Sequence, residues 1–119
     1  MVKTFKDLLI WQKSIKLVSQ IYEITGQFPD IEKYGIISQM RRSSVSIPSN
    51  IAEGFGRKSK GDFKRFLSIS NGSLFELQTL LEIALNINIL SENNYEELYS
   101  STREVERMLS SFIQTLTIK

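Results

Sequence analysis

The 119-residue sequence contains neither cysteine nor histidine and only two prolines. Without thiols there is no disulfide framework, no thiolate nucleophile and no zinc-finger metal site. Without imidazole there is no Ser-His-Asp triad, no facial-triad iron site and no histidine general base. Catalysis would have to rest on carboxylate, Lys, Tyr or Ser groups alone. This depleted acid/base inventory predicts a protein that is not an enzyme and that takes no metal or cofactor. Glu53, Glu76 and Glu82 are the carboxylates expected near the interior, and the paired Glu-x-x-His motifs of a di-iron centre are excluded.

Long hydrophobic runs are also missing. Glu76, Glu82 and Glu92 interrupt the most apolar stretch, so no segment of about 18 residues suits a bilayer crossing, and no membrane partner is expected. The opening Met1-Val2-Lys3-Thr4 runs into Asp7 and Lys13 without the apolar core and small-residue cleavage site of a secretory leader, which makes the cytoplasm the expected location.

What is present fits a single domain over residues 1–119, with 41% hydrophobic and 24% charged residues. A chain of this size buries roughly two-thirds of its unfolded surface and needs no covalent staple. The net charge of +2 hides an uneven distribution. Residues 1–30 sum to +1, residues 31–65 to +5 and residues 66–119 to −4. Such asymmetry means either a polyanion-binding surface or helices that attract one another.

Apolar spacing of threes and fours predicts helices throughout. Thr4 with Asp7 reads as a capping box opening a first helix, with Phe5, Leu8, Trp11, Ile15, Val18 and Tyr22 on its apolar face and an end near Thr25. Gly26 suits a left-handed residue after that helix, and Asp30 suits the N-cap of a second helix from about Ile31. The second helix ends at Gly54 and Gly56 and is expected to kink at Pro48, which removes one backbone bond and crowds the carbonyl of Ser44. Asn50 and Glu53 are placed to satisfy backbone groups freed there. Ser59 with Asp62 caps a third helix running to about Ile89.

That third helix carries two apolar stripes. Phe63, Leu67, Leu74, Leu77, Leu81 and Leu85 form the first; Phe66, Ile69, Leu80, Ile83, Ile87 and Leu90 form the second. Together they span roughly 220° of the circumference, more than one core face needs. The second stripe, through Phe66, Ile69, Leu80, Ile83 and Ile87, is the expected surface of a homo-oligomer. Gly72 is expected to permit close helix contact. Ser91 opens a fourth helix with an a/d pattern at Tyr95, Leu98, Thr102, Val105, Leu109, Phe112 and Leu116. The sum is an all-α, antiparallel up-down-up-down four-helix bundle with a kinked second helix.

Several segments resemble a known family: Leu8 to Gln12, Phe28-Pro29 with Tyr34-Gly35, Gln39 to Arg42, Ser46 to Gly54, and Gly72-Ser73-Leu74 followed by Glu76-Leu77. The chain resembles, over nearly its whole length, the bacterial four-helix-bundle proteins encoded within intervening sequences of large-subunit ribosomal RNA genes, sometimes labelled ribosomal proteins. Ser14 and Ser70 stand where smaller residues are usual in that family. The resemblance implies a ring-forming protomer, typically a homopentamer, without established catalysis. It also implies similarity to the accessory variability determinant of diversity-generating retroelements, a basic pentameric bundle that works with a reverse transcriptase and nucleic acid.

The candidate site is the basic run of Arg57, Lys58, Lys60, Lys64 and Arg65. Arg57 and Lys58 follow a helix C-terminus, where positive charge is favoured. Lys60, Lys64 and Arg65 sit at a helix N-terminus, where the dipole disfavours cations and free N–H groups attract anions. Phosphate contact and a merely solvated corner are the two readings. Gly56 to Gly61 imitates phosphate-loop spacing, but Asp62 replaces the required lysine and no strand precedes it, so no NTPase is inferred. Arg41 and Arg42 lie about 24 Å away along the second helix. They are further nucleic-acid candidates, or else partners in interhelix ion pairs, since antiparallel pairing sets Arg41 opposite Leu77 and near Glu76, and Glu53 near Arg65. Trp11, Tyr22, Tyr95 and Tyr99 read as core or interface aromatics, with Tyr99 and Phe75 the candidates for an intersubunit surface. The functional expectation is binding of RNA or DNA backbone through the basic corner; the alternative is a scaffold that docks an acidic protein partner such as a polymerase.

Overall fold

A computed structural model describes residues 1–117. Among these residues four α-helices follow in order: α1 (Leu9–Thr25), α2 (Ile36–Phe55), α3 (Lys60–Asn86) and α4 (Glu92–Thr117). Each helix packs on its chain neighbour and α1 closes on α4. The result is an all-α, up-down-up-down bundle 47 Å long and 22 Å across.

The capping box at Thr4 forms, with the Asp7 carboxylate accepting from the backbone N–H groups of Lys3 (2.8 Å) and Thr4 (3.1 Å). It opens only a single 3-10 turn, Phe5–Asp7; Leu8 is extended and α1 starts at Leu9. The buried face of α1 is Ile10, Ser14, Leu17, Ile21 and Thr25, not the expected stripe. Of that stripe Leu8 is buried and Trp11 and Val18 are half-buried, while Ile15 and Tyr22 are exposed. Polar letters hid the true face. The Ser14 hydroxyl donates to the Trp11 carbonyl (2.8 Å) and that of Thr25 to the Ile21 carbonyl (2.7 Å), so both bury at little cost.

Gly26 is right-handed, at φ −64°, so no left-handed glycine ends α1. Asp30 does not cap α2. It begins a second 3-10 turn, Asp30–Glu32, and α2 starts at Ile36 after Gly35, whose φ −108°, ψ −111° interrupts the helical path. From there α2 runs as one helix through a buried Pro48. Asn50 bonds the Ser46 carbonyl (2.9 Å) and Glu53 turns to Arg57, so neither serves the Ser44 carbonyl that Pro48 cannot reach.

The α2–α3 register agrees with the sequence reading to within one residue. Ser70 donates to the Ile47 carbonyl and Ser73 to the Ser46 hydroxyl, both at 2.8 Å. The glycine that admits close approach is Gly54: a Cβ there would stand 2.8 Å from the Phe66 Cβ and 2.9 Å from a Phe63 ring carbon. Gly72, the expected contact point, faces open space.

The first stripe of α3 fills the core through Leu67, Leu74, Leu77 and Leu81. The second stripe splits. Phe66 and Leu80 are 9% and 6% exposed, whereas Ile69, Ile83 and Ile87 are 42%, 43% and 49% exposed. Because α3 touches both α2 and α4, its buried arc is wide, and Phe66 and Leu80 belong to the protomer's interior instead of an outer surface. Asn88, left-handed at φ 65°, turns the chain after α3. Ser91 caps α4 by accepting from the Asn94 N–H (3.1 Å), and Leu98, Thr102, Val105 and Leu109 are buried along the predicted seam.

Candidate nucleic-acid interface

Antiparallel topology gathers at one end of the bundle the C-terminus of α2, the N-terminus of α3 and the last turn of α4. The start of α1, preceded by Lys3 and Lys6, lies at the same end. The α2–α3 connection carries Arg57 and Lys58, and the Ser59 hydroxyl caps α3 by accepting from the Asp62 N–H at 3.1 Å. Lys60 is therefore the first residue of the helix, with Lys64 and Arg65 one turn on.

Phe66 organises this corner. The guanidinium carbons of Arg57 and Arg65 lie 4.8 Å and 4.6 Å from its ring centroid. Two cations that would otherwise repel are thus drawn to one aromatic quadrupole. Arg57 also pairs with Glu53 at 3.1 Å and Arg65 meets Asp62 at 3.9 Å, both exposed pairs of small energetic worth. Glu53 therefore serves Arg57, four residues on and just past the end of α2, and not Arg65. Lys64 reaches across to α4, its Nζ donating to the Thr117 hydroxyl at 3.3 Å. Lys58 and Lys60 are exposed and make no ion pair among the described residues.

Arg41 and Arg42 stand apart from this corner, near the start of α2. The expected ion pairs to Glu76 do not form among the described residues. Arg41 instead ties α2 to α1: its Nε donates to the Thr25 hydroxyl (2.9 Å), an Nη to the Tyr22 carbonyl (3.3 Å), and its guanidinium lies 4.5 Å from the Tyr22 ring centroid. A cation on the last carbonyls of α1 is well placed against that helix's dipole. Arg42 is exposed and shares a shallow pocket with Glu76 without bonding to it.

A family model for the 23S rRNA-intervening sequence protein matches residues 6–111. The chain belongs to that family. A 1.70 Å crystal structure from Bacteroides thetaiotaomicron, of a protein with unknown function from the S23 ribosomal protein family, shares its fold. The TM-score is 0.83 at 24% identity, over 88% of this chain and 98% of that one. Among curated proteins none matches the sequence.

In this intervening-sequence protein the corner cations read as unexplained in the sequence have a partial structural cause. The α4 C-terminus, with its negative dipole end, lies beside the α3 N-terminus, and Lys64 is bonded there. Lys60 has no such partner among the described residues. Glu53, Glu76 and Glu82 are all exposed, so the interior of the intervening-sequence protein does not gather them. Along the α3–α4 seam Glu106 is the better-held carboxylate. Burial raises its pKa, but hydrogen bonds from Gln78 (3.0 Å) and Arg103 (2.7 Å) prevail and hold it below the ordinary value. No helix of the described residues is long and apolar enough to cross a membrane.

Proposed function

We propose that this intervening-sequence protein is a non-enzymatic, cytoplasmic bundle that assembles with copies of itself and binds the phosphate backbone of nucleic acid through the end of the bundle carrying Arg57, Lys58, Lys60, Lys64 and Arg65. The observation that carries the reading is the Arg57–Phe66–Arg65 cluster, flanked by Lys58 and Lys60, which have no ion-pair partner among the described residues. Two guanidiniums held on a nearly buried ring keep their positions at little entropic cost, and the neighbouring lysines add charge that no carboxylate of the described residues pairs with. Contact with phosphates gives affinity without strong sequence choice.

Assembly rests on a different observation. Ile69 and Ile83 on α3 and Ile87 just past its end remain exposed, and Ile15 and Val45 stand out beside Trp11 and Pro48 on the α1–α2 side. A ridge and a groove on one chain suit a head-to-tail contact that closes into a ring. The resemblance to ring-forming proteins makes a homopentamer the expected size, and a ring repeats the basic end around one axis. Light scattering that finds a stable monomer at micromolar concentration overturns the assembly.

Binding is tested with labelled single-stranded RNA. Affinity falls as salt rises, and replacing Lys60, Lys64 and Arg65 with Ala together reduces the slope of log affinity against log salt by about 2. Absence of binding at low salt refutes the reading. The second reading, a scaffold docking an acidic protein such as a polymerase through the same cations, is separated by co-purification with and without nuclease. A protein retained after nuclease favours the scaffold, and loss of all bound material favours nucleic acid.

A further inference from the structure

The end of α1, the 3-10 turn after it and the start of α2 enclose a cleft of about 450 Å³, lined among others by Tyr22, Lys33, Tyr34, Ser38, Arg41 and Arg42. Three cations and two tyrosines line it, and no carboxylate does. Glu32 sits on the preceding turn with its Oε1 beside Gly35, and Glu76 lies in a separate shallow pocket with Arg42. Neither Lys33 nor Arg42 is ion-paired among the described residues.

The two tyrosines differ. Tyr22 is occupied by the Arg41 guanidinium, which two hydrogen bonds to α1 fix in place. Tyr34 is 90% exposed, its hydroxyl makes no hydrogen bond among the described residues, and it packs against nothing in their core. Lys33 Nζ stands 5.6 Å from its ring centroid, over one face only. An aromatic ring left in water beside Lys33, in a cleft that Arg41 and Arg42 also line, is unexplained by folding. It has the composition of a site where a base stacks and a phosphate is neutralised.

We propose that this cleft receives one nucleotide of a single strand, its phosphate between Lys33, Arg41 and Arg42 and its base on the free face of Tyr34. A base paired in a duplex must first unpair and unstack to meet the ring, whereas an unpaired base meets it without that cost. Arg42 and Arg57 are fifteen residues apart, about 22 Å at 1.5 Å per residue, so the cleft is a second contact and not part of the basic corner. The proposal deepens the nucleic-acid reading above and rests on it.

The test uses the full chain with a single-stranded RNA carrying 4-thiouridine, ultraviolet crosslinking and mapping of the modified peptide. Crosslinks are expected on Tyr34 or Tyr22. Tyr34→Ala weakens binding of the single strand roughly five- to one-hundred-fold, Tyr34→Phe restores it, and the matching duplex is unaffected by either. Because Tyr34 is exposed, its variants keep the wild-type circular dichroism. Uridine monophosphate is added alone as a separate arm, read by amide shifts at residues 33–42. Shifts there without tight strand binding assign the same chemistry to a free nucleotide. Crosslinks confined to residues 57–66, with Tyr34→Ala unchanged, overturn the cleft and leave the corner standing. Binding that is lost in Tyr34→Ala and indifferent to the Lys60, Lys64 and Arg65 replacements overturns the corner and keeps the cleft. No binding of strand or nucleotide by the wild type overturns both.

Discussion

The Ser70 hydroxyl donates to the Ile47 carbonyl across the α2–α3 interface at 2.8 Å, with both residues wholly buried. The bond sits one residue before Pro48 and ties the middle of α2 to the middle of α3. A buried hydrogen bond of this kind contributes about 1 kcal/mol net. Ser70→Ala is therefore expected to lower unfolding stability by about 1 kcal/mol, read from the denaturant midpoint at fixed protein concentration. Ser70→Leu forces extra carbons into a packed seam and costs more, about 1–3 kcal/mol beyond the lost bond. Equal midpoints for wild type and Ser70→Ala would show that the bond adds nothing to the fold.

Gly54 and Gly72 make a matched pair of opposite sign. A methyl at Gly54 meets the Cβ of Phe66 at 2.8 Å and the ring of Phe63 at 2.9 Å, and both lie on α3 close to its root where they have little room to give. Gly54→Ala is expected to destabilise by about 1–3 kcal/mol. Gly72 lies in the interior of α3 with nothing near its missing side chain, so Gly72→Ala removes flexibility from the unfolded chain and stabilises by roughly 0.5–1 kcal/mol. Thermal melts of the two variants should move in opposite directions, and a fall for Gly72→Ala would contradict the open environment.

The contrast between these glycines shows what was legible. Periodicity placed four helices and the α4 seam, because each depends on spacing that a single helix carries in itself, and the position of the Arg57–Gly61 turn set the α2–α3 register. It misplaced the α1 core, since Ser14 and Thr25 satisfy their hydroxyls on their own helix and occupy positions a hydrophobic pattern skips. It treated Phe66 and Leu80 as outward because a wheel for α3 alone does not know that two neighbours share its surface. It set Arg41 near Glu76, an ion pair that does not form among the described residues, where Arg41 instead bonds to α1. The Thr25 and Tyr22 contacts depend on how α1 ends against α2, and the start of α2 was itself displaced by the Gly35 break. Lys64 was legible as a cation and illegible as a partner of Thr117, which lies fifty-three residues away.

Tyr95 gives a pH signature on the alkaline side. Its hydroxyl donates to Glu82, and this bond, with some burial and the Glu82 charge, pushes its pKa from 10.0 up to about 12. The folded state thus holds the proton more tightly than the unfolded state. The stabilisation is complete below pH 10 and is lost as pH rises from 10 through about 12. Tyrosinate absorbance of the native protein should show one late-titrating group, which Tyr95→Phe abolishes. On the acid side the sign reverses. Backbone N–H groups of Lys3 and Thr4 hold Asp7 below 3.8, so its contribution is present above that pH and fades as pH falls further. If the group that Tyr95→Phe removes from the alkaline titration ionises near 10.0 instead of late, the Glu82 bond does not persist in solution.

Phe66 allows charge and position to be separated at the basic corner. Phe66→Leu keeps every cation and a similar apolar volume, at a folding cost below about 1.5 kcal/mol, but takes away the ring on which Arg57 and Arg65 rest. Each contact of this kind is worth about 0.5–1 kcal/mol at an exposed site. Single-stranded RNA binding by Phe66→Leu should therefore weaken roughly two- to tenfold with an unchanged salt slope, since the same number of phosphates is neutralised. The double replacement of Lys60 and Lys64 by Ala should do the converse, flattening the slope by about 1.4 while Arg57 and Arg65 stay on the ring. If Phe66→Leu instead flattened the slope as the lysine replacements do, the arginines would be leaving the surface altogether, and the ring would be holding the phosphate contacts themselves and not merely their geometry.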